Sequence, residues 1–415
     1  MKNEILKKAA LVLSSLLLTL IILEIILRAF IHPSEISYGT LFERELPPHK
    51  VIPTRSINNS ERGLKNNILI VENRNISRSD LTSVTKRDPL FGYTAKENAR
   101  SPNGWWQSNN IGARASYDIA KEKPWGKKRM LVFGDSFANG SGVPQEDTWT
   151  YILNSEINEL EVINFGLDGY SMGQSYLRYL KIKNSVDYDF LLLMFVPSDD
   201  LWREINTIRA LAGWNSYTVM PRFIIKQGKL ELIKSPYESG SMVYKKNRYN
   251  LSEELRSHLL NYDRFYFKSK YESPWLIGNS ILYKLIAREY YIFKFNRLKN
   301  WGMNPNSEAS RVTKKIFDTM NNDVKKDEKK FVLVILPTHD DISKLRFDSS
   351  FREKWYKQVS FHCSSIKICI DLSEDMLQQP QNLLDKGYDG THYGPKANRL
   401  ISELIRKHVI NVLEF

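Results

Sequence analysis

Cysteine is scarce in this sequence, since only Cys363 and Cys369 occur among 415 residues. Two thiols cannot build a framework of several disulfides, and nothing near them resembles a zinc ligand set, so we expect no bound metal. Outside the cytoplasm the two cysteines could form one disulfide. The alternative is a pair of small buried apolar side chains, because sequence spacing does not fix the geometry.

Internal repeats and long low-complexity tracts are also missing, which argues against a repeat architecture. The apolar and aromatic fractions are typical of a globular protein, and the length suffices for two or three domains.

Basic residues outnumber acidic residues and give the chain a net charge of +13. Such a surplus favours an anionic surface, for example phospholipid headgroups or an acidic glycan. The lysines are dispersed among acidic residues, however, so a lysine-rich composition without functional meaning is the alternative. We expect no nucleic-acid partner, and the composition does not indicate an oligomeric state.

Polar side chains are nearly absent from the N-terminal segment before Glu24. An apolar run extends from Ala9 to Leu23 and resumes after Glu24, which approaches the ~20 residues needed to cross a bilayer. A cleaved signal peptide is the alternative, but it usually has a shorter apolar stretch and a small-residue cleavage site. Lysines before the run place the N-terminus in the cytoplasm and the rest of the chain outside. Arg28 follows Glu24 by four residues, so the two can pair at the outer interface.

Five short apolar runs predict buried strands, at 129–133, 161–164, 190–195, 331–336 and 366–372. Helical periodicity predicts helices between and after them, at 148–157, 174–183 and 312–324, with a closing helix that starts near Pro395. This alternation predicts an α/β fold with three layers, α/β/α, around a parallel sheet. Ligands bind such sheets beyond the carboxyl ends of the strands. Four polar or glycine positions follow strand ends and should share that rim: Ser136, Gly169, Asp199 and His339.

Ser136 is the candidate nucleophile, because Gly134-Asp135-Ser136 follows the first predicted strand directly. A serine hydroxyl needs a base and a third group that orients the base. Asp389 and His392 stand three residues apart just before the closing helix, so the carboxylate can reach the imidazole within one turn. The alternatives are a turn with a helix cap at Ser136 and a capping loop with an exposed histidine at His392.

These two motifs, with Gly169 in the segment Asn164–Gly169 between them, resemble the SGNH (GDSL-type) hydrolases. The resemblance covers about residues 86–415 and implies a flavodoxin-like fold and acyl-ester chemistry without a cofactor. It implies catalytic roles for Ser136, His392 and Asp389, and an oxyanion hole that includes the backbone of Ser136 and Gly169. The segments 88–93 and 109–114 resemble the lead-in of membrane-anchored members, where it packs beside the catalytic domain.

Asp199 stands where this family has an asparagine that donates to the oxyanion. An ionised aspartate can only accept a hydrogen bond and would repel the oxyanion. Three explanations are open. The site could keep Asp199 protonated, the Ser198 hydroxyl could donate instead, or the protein could be slow or inactive.

Four segments follow from these observations: a cytoplasmic N-terminus 1–8, a transmembrane anchor 9–30, a stalk and lead-in 31–125, and a catalytic domain 126–415. An insertion over about 201–310 interrupts the catalytic domain. It contains a predicted hairpin that turns at Gln227-Gly228, and aromatic-rich helical stretches that include Trp275. Its aromatic side chains could stack on sugar rings or form the core of the insertion.

The sequence thus predicts a membrane-anchored, extracytoplasmic serine esterase that forms an acyl-enzyme at Ser136. By analogy with envelope members of the family, the acylated substrate is a polysaccharide. The alternatives are an O-acyltransferase that works with a membrane acyl-donor partner, and a non-catalytic glycan-binding or assembly protein. His339 is a rival histidine, with substrate contact or a plain polar loop as the other interpretations.

Overall fold

The computed structural model describes residues 2–34, 37–48, 84–214, 216, 218–236, 253–271 and 278–413. Part of the predicted stalk, with Pro53 and Asn58-Asn59-Ser60, lies outside the described residues, as does Trp275.

The chain forms two compact units. The small unit contains the described residues of Met1–Asn59, Ala210–Ser216 and Tyr244–Leu298. The large unit contains those of Ser60–Arg209, Tyr217–Val243 and Lys299–Phe415.

The described residues contain short and long strands that are numbered in chain order: β1 Ile31–His32, β2 Gly39–Leu41, β3 Arg44–Leu46, β4 Thr85–Asp88, β5 Gly92–Ala95, β6 Lys128–Phe133, β7 Leu160–Asn164, β8 Phe190–Phe195, β9 Arg222–Lys226, β10 Lys229–Ile233, β11 Lys330–Ile335 and β12 Ile368–Asp371. The helices in the same part of the chain are α1 Lys2–Arg28, α2 Ser136–Asn139, α3 Trp149–Glu156, α4 Met172–Ile182, α5 Pro197–Asp200, α6 Glu253–Tyr262, α7 Lys268–Tyr271, α8 Ile281–Gly302, α9 Glu308–Lys326, α10 His339–Phe347, α11 Ser349–Cys363, α12 Ser373–Leu377 and α13 Pro395–Leu413. Short 3₁₀ helices cover Gln145–Asp147, Leu201–Ile205, Arg209–Ala212 and Gln381–Leu383.

Five strands of the large unit form one parallel sheet in the order β12-β11-β8-β6-β7. All five correspond to the apolar runs in the sequence, so the predicted parallel sheet is confirmed. If the five strands are numbered one to five along the chain, their order across the sheet is 2-1-3-4-5, which is the flavodoxin-like order. Successive strands are added toward one edge and then toward the other, and the change occurs between β6 and β8. The carboxyl ends of these two strands therefore flank the crevice where ligands bind in such sheets.

Helices cover both faces of this sheet, as the three-layer prediction requires. On one face, α3 and α13 pack their apolar side chains, including fully buried Trp149, into a common core with the strands. On the other face, the Phe133 ring lies 6.1 Å from the Tyr179 ring of α4. The Phe195 ring lies 5.1 Å from the Phe317 ring of α9. The strands are apolar throughout because both of their faces are buried.

The hairpin predicted at Gln227-Gly228 is confirmed. Strands β9 and β10 pair antiparallel, and Lys226 lies opposite Lys229. The two intervening residues have φ angles of 50° and 74°, the left-handed conformation that a two-residue hairpin loop needs. A second hairpin, β4 with β5, lies in the lead-in segment and was not predicted, because its first strand is short and polar.

Helix α1 of the small unit is long and apolar enough to cross a membrane, and none of its apolar window is buried. At its end the predicted Glu24–Arg28 pair is present, with 2.9 Å between Nη2 and Oε1. Strands β1 to β3 form a small antiparallel sheet after the helix.

Cys363 and Cys369 are joined in a disulfide. It connects the last residue of α11 to β12 at the edge of the parallel sheet. Of the two alternatives that the sequence left open, the structure shows the bridge.

Candidate active site

The turn after β6 places Ser136 at the start of α2. Asp135 caps this short helix, since its carboxylate accepts a hydrogen bond from the Phe137 backbone N–H at 2.9 Å. Gly134 has a φ of 149°, and a Cβ there would lie only 2.6 Å from the Ala138 Cβ. The glycine is therefore needed for the tight turn, which orients a serine that is 2% exposed.

Ser136, His392 and Asp389 form a continuous hydrogen-bonded chain. The Ser136 Oγ lies 2.8 Å from the His392 Nε2. The opposite ring nitrogen, Nδ1, donates to the Asp389 Oδ2. The other carboxylate oxygen of Asp389 accepts from the backbone N–H groups of Thr391 and His392, at 2.9 and 3.0 Å. This loop precedes α13, so the carboxylate is held by its own turn and the imidazole is held by the carboxylate.

Asp389 and His392 shift each other's pKa values. Burial opposes the charge on Asp389, but the hydrogen bond and charge of His392 and two backbone N–H donors outweigh it and lower the pKa to about 2. Burial also opposes a charge on His392, whereas the Asp389 carboxylate, with Asp168 and Asp135 further away, raises the histidine pKa above its usual value. A fixed carboxylate next to a basic imidazole is the arrangement that can accept the serine proton.

Two backbone N–H groups at this rim are available as donors. Within the described part of the chain, the N–H groups of Ser136 and Gly169 have no hydrogen-bond partner. Gly169 has a φ of 72°, and a Cβ at this position would lie 2.9 Å from the Tyr93 hydroxyl oxygen. That hydroxyl donates to the Asp168 carbonyl and fixes the turn from the side of β5. Only glycine fits this turn without displacing Tyr93.

Asp199, at the carboxyl end of β8, pairs with an arginine. Its Oδ2 accepts from the Nη2 of Arg203, and its side chain is 22% exposed. The Nη1 of Arg203 donates to Asp135 at 3.0 Å and to Asp200 at 2.9 Å. Arg203, Asp135 and Asp200 are buried. One guanidinium thus connects Asp135, the residue before Ser136, to Asp199 and Asp200.

In this cluster three carboxyl groups, those of Asp135, Asp199 and Asp200, surround the single guanidinium of Arg203. Burial raises the pKa of Asp135 to about 6. The positive charge of Arg203 opposes this rise, and repulsion from Asp199 adds to it. Burial and repulsion from Asp135 raise the pKa of Asp200 well above its usual value, against the attraction of Arg203. The sequence analysis missed Arg203. Its spacing of four from Asp199 was the available signal, although a helical spacing alone does not reveal a buried cluster.

The Ser198 hydroxyl, one of the substitutes considered for the missing donor, is engaged elsewhere. It donates to the Asp341 Oδ2 at 2.5 Å, in a part-buried contact. A hydroxyl has a single proton to donate, so this contact occupies it.

His339 is not part of the hydrogen-bonded triad of Ser136, His392 and Asp389. Its Nε2 lies 3.2 Å from the Asp385 carbonyl oxygen. Its ring centroid lies 4.3 Å from the ring of Tyr393, which follows His392. Burial lowers the pKa of His339. His339 also begins α10, where the sequence suggested a loop as one alternative.

Arg114 of the lead-in segment is a second residue that the sequence analysis missed. Its Nη1 donates to the carbonyl oxygens of Asn139 and Gly140 at 3.0 and 2.9 Å, and its Nη2 donates to Val143 at 2.9 Å. The buried guanidinium therefore holds the loop that follows α2. These contacts place Arg114, from the segment 109–114, beside the loop that follows Ser136.

Aromatic side chains border the same site. The Trp105 and Tyr388 rings lie 5.0 Å apart, and Tyr388 directly precedes Asp389. Tyr388 is 43% exposed. The indole N–H of Trp106 donates to the Asn139 Oδ1 at 3.2 Å, at the end of α2. The rim near the Asp389–His392 loop thus presents aromatic surface to solvent.

Among the described residues, no group of three or more histidine, cysteine, aspartate or glutamate side chains could hold a metal ion.

No protein-family model matches this chain, and no curated protein matches it. Among solved structures, the chain is similar to a lipolytic protein of the G-D-S-L family from Veillonella parvula DSM 2008, with 13% identity, a TM-score of 0.31, and coverage of 68% of this chain and 97% of that one. It is similar to the psychrotrophic esterase EstA from Pseudoalteromonas sp., with 9% identity, a TM-score of 0.34, and coverage of 70% and 100%. It is also similar to the acetyl xylan esterase AlAXEase, with 12% identity, a TM-score of 0.34, and coverage of 68% and 99%.

Proposed function

We propose that this protein is a serine esterase of the SGNH type, anchored in a membrane with its catalytic residues on the extracytoplasmic side. One observation carries the proposal. Ser136 is distant in sequence from the Asp389–His392 pair, yet the three side chains meet in hydrogen-bonding order at the carboxyl edge of a parallel sheet.

The geometry supports a two-step acyl transfer. The Ser136 hydroxyl passes its proton to the His392 Nε2 while its oxygen attacks the ester carbonyl carbon. Asp389 stabilises the resulting imidazolium. The backbone N–H groups of Ser136 and Gly169 are the donors for the oxyanion. His392 returns the proton to the leaving alcohol, which departs and leaves an acyl-enzyme. A water molecule activated by the same histidine then releases the acid and regenerates the serine.

We propose that Asp199 lowers the rate of this reaction. Its carboxylate oxygens cannot donate to the oxyanion, and the Ser198 hydroxyl is held by Asp341. The loss of one oxyanion donor costs about 10²–10³ in rate. The pairing with Arg203 offsets part of the negative charge of Asp199. We therefore propose a slowed enzyme rather than an inactive one, since the other parts of the site are in place.

The substrate class proposed is an O-acylated polysaccharide. The rings of Trp105 and Tyr388 border the catalytic loop, and aromatic faces suit the apolar faces of sugar rings. Asp199 adds a partly exposed carboxylate that can accept a hydrogen bond from a sugar hydroxyl. A simple lipid ester would use neither feature.

The extracytoplasmic location rests on two features of the chain. Helix α1 is long and apolar enough to span a membrane, and lysines precede its apolar run. The disulfide between Cys363 and Cys369 is typical of an oxidising compartment.

Hydrolysis of a small aryl acetate by the purified full-length chain tests the proposed function. We expect slow turnover that disappears in Ser136→Ala. Trp105→Ala should keep the aryl acetate rate and raise KM for an acetylated oligosaccharide. Turnover that persists without Ser136 would overturn the assignment of the nucleophile, and an unchanged oligosaccharide KM would overturn the substrate class alone.

A further inference from the structure

Helix α8 of the small unit presents apolar side chains to solvent. Ile286, Tyr290 and Phe293 are 70%, 51% and 61% exposed. Their spacings of four and three residues place them on one face of the helix. Other positions of the helix are already packed, since Ile281 is fully buried and Ala287 is 5% exposed. The exposed apolar face is therefore additional to the one that stabilises the unit.

The start of α8 is fixed to the last turns of α1. The Glu24 carboxylate accepts hydrogen bonds from the backbone N–H groups of Ile281 and Leu282, at 2.8 and 3.1 Å. The Arg28 Nη2 donates to the Asn279 carbonyl at 2.8 Å. Leu27 packs against the small apolar cluster of this unit, which contains Ile281. If α1 spans the membrane, as proposed above, these contacts hold the first turn of α8 at the outer membrane surface.

The charge of α8 suits an anionic surface. Over residues 281–298 the helix carries four basic residues and one acidic residue. Lys284 is buried and Arg288 pairs with Glu289. The positive charge exposed on this helix therefore comes from Lys294 and Arg297. The Nζ of Lys294 lies 5.0 Å from the centroid of the Tyr290 ring, so a cation stands directly beside the exposed apolar face. Long basic side chains that flank an apolar helix face are typical of helices that lie in a membrane interface.

We propose that α8 is a membrane-surface helix, with Ile286, Tyr290 and Phe293 inserted at the boundary between headgroups and acyl chains. Lys294 and its basic neighbours contact anionic phospholipid headgroups. Phe293 is twelve residues from Ile281, about 18 Å along a helix axis. The headgroup layer is only about 5–8 Å thick on each side of the bilayer. All three side chains can reach the boundary only when the helix lies along the membrane surface.

Lipid-quenching of site-specific labels tests this proposal on the full-length chain in proteoliposomes. The two native cysteines are joined, so a single introduced cysteine takes an environment-sensitive fluorophore. We expect spin-labelled lipids to quench labels in Ile286→Cys and Phe293→Cys, and not in Phe347→Cys. Phe347 is the matched control because it is an aromatic residue at the end of α10 and is 87% exposed. Quenching at neither α8 position, or at Ile286 alone, would overturn the proposal.

Vesicle composition separates headgroup binding from apolar insertion. Quenching at Phe293 should be stronger in vesicles that contain phosphatidylglycerol than in pure phosphatidylcholine, and Lys294→Glu should reduce that difference. An identical response in both vesicles would overturn the anionic preference. A Phe293 label that is shielded from iodide but not quenched by lipid would assign the face to a second copy of the chain and overturn the proposal. The aryl acetate assay on the same samples reports the proposed function independently.

Discussion

Burial opposes a charge on His392, and Asp389 is the neighbour that does most to raise the histidine pKa against it, with smaller contributions from Asp168 and Asp135. The Asp389 carboxylate raises the histidine pKa, and only the neutral imidazole can accept the serine proton. Esterase activity should therefore rise with pH through a midpoint above the ordinary histidine value of ~6.5. Asp389→Asn removes the negative charge, so we expect this midpoint to move to lower pH. We also expect kcat to fall by up to about 10⁴, because the amide no longer selects the tautomer and orientation of the imidazole. A kcat–pH profile with an aryl acetate checks both effects, and an unchanged midpoint would show that the two residues are not coupled in the working enzyme.

Asp199 provides a second test on the scale of one side chain. Asp199→Asn keeps an oxygen that can accept from Arg203 and adds an amide that can donate to the oxyanion. We expect kcat to increase, by up to about 10²–10³ if the donor was fully missing.

The control for this substitution is Asp199→Ala, which removes the same charge without supplying a donor. It should not reproduce the gain. Equal kcat values for the two variants would place residue 199 away from the oxyanion, and the increase would then be an effect of charge alone.

At the level of structural elements, the turn at Gly169 can be compared with the hairpin turn at Gly228. Both glycines have φ near 73°, being 72° and 74°. Alanine at either position should cost about 1–2 kcal/mol of stability because of the left-handed backbone. Only at Gly169 would the new Cβ also meet Tyr93, whereas nothing lies within 4 Å at Gly228. We expect the loss of thermal stability to be at least as large in Gly169→Ala as in Gly228→Ala, because of the added contact with Tyr93, and a large loss of kcat only in Gly169→Ala. Equal kcat values would contradict a role for the Gly169 turn in catalysis.

The sequence predicts elements well where burial dictates the residue pattern along the chain. Strand β8 is apolar at every position because both of its faces are covered, and this pattern can be recognised in the sequence alone. The hairpin at Gln227-Gly228 could also be recognised in the sequence, because its turn needs a left-handed backbone and glycine adopts that conformation readily. Strand β4 was not, since it is short and polar and is recognisable only by its partner.

In the candidate site, too, some residues could be predicted from the sequence and others could not. Ser136, Asp389 and His392 stand in short local motifs, so they could be identified before their contacts were known. Arg114 acts through non-local contacts with carbonyl groups, and Arg203 joins two nearby carboxylates to the distant Asp135. Arginines are common enough that composition does not single either residue out. For the same reason, the sequence could not reveal that the Ser198 hydroxyl is held by Asp341.

On the scale of the whole molecule, the proposed topology rests on α1 and the lysines before it. If the N-terminus lies in the cytoplasm, as proposed, everything after the span would lie outside. A phosphatase reporter that is active only in an oxidising compartment, fused after Phe415, should be active in intact cells. The matched fusion to a fluorescent protein that folds only in the cytoplasm should stay dark. The reverse pattern would contradict the proposed orientation and leave the serine chemistry to be tested separately.

The central claim is that Ser136 becomes acylated with His392 as its base, and covalent labelling tests it most directly. A serine-reactive phosphonate forms a stable adduct with an activated hydroxyl in place of the acyl group. Intact mass followed by peptide mapping of the full-length chain should show one adduct, located on Ser136. The adduct should be absent in Ser136→Ala and in His392→Ala, and retained in Ser198→Ala. An adduct at another residue, or labelling of Ser136 that persists without His392, would contradict the claim.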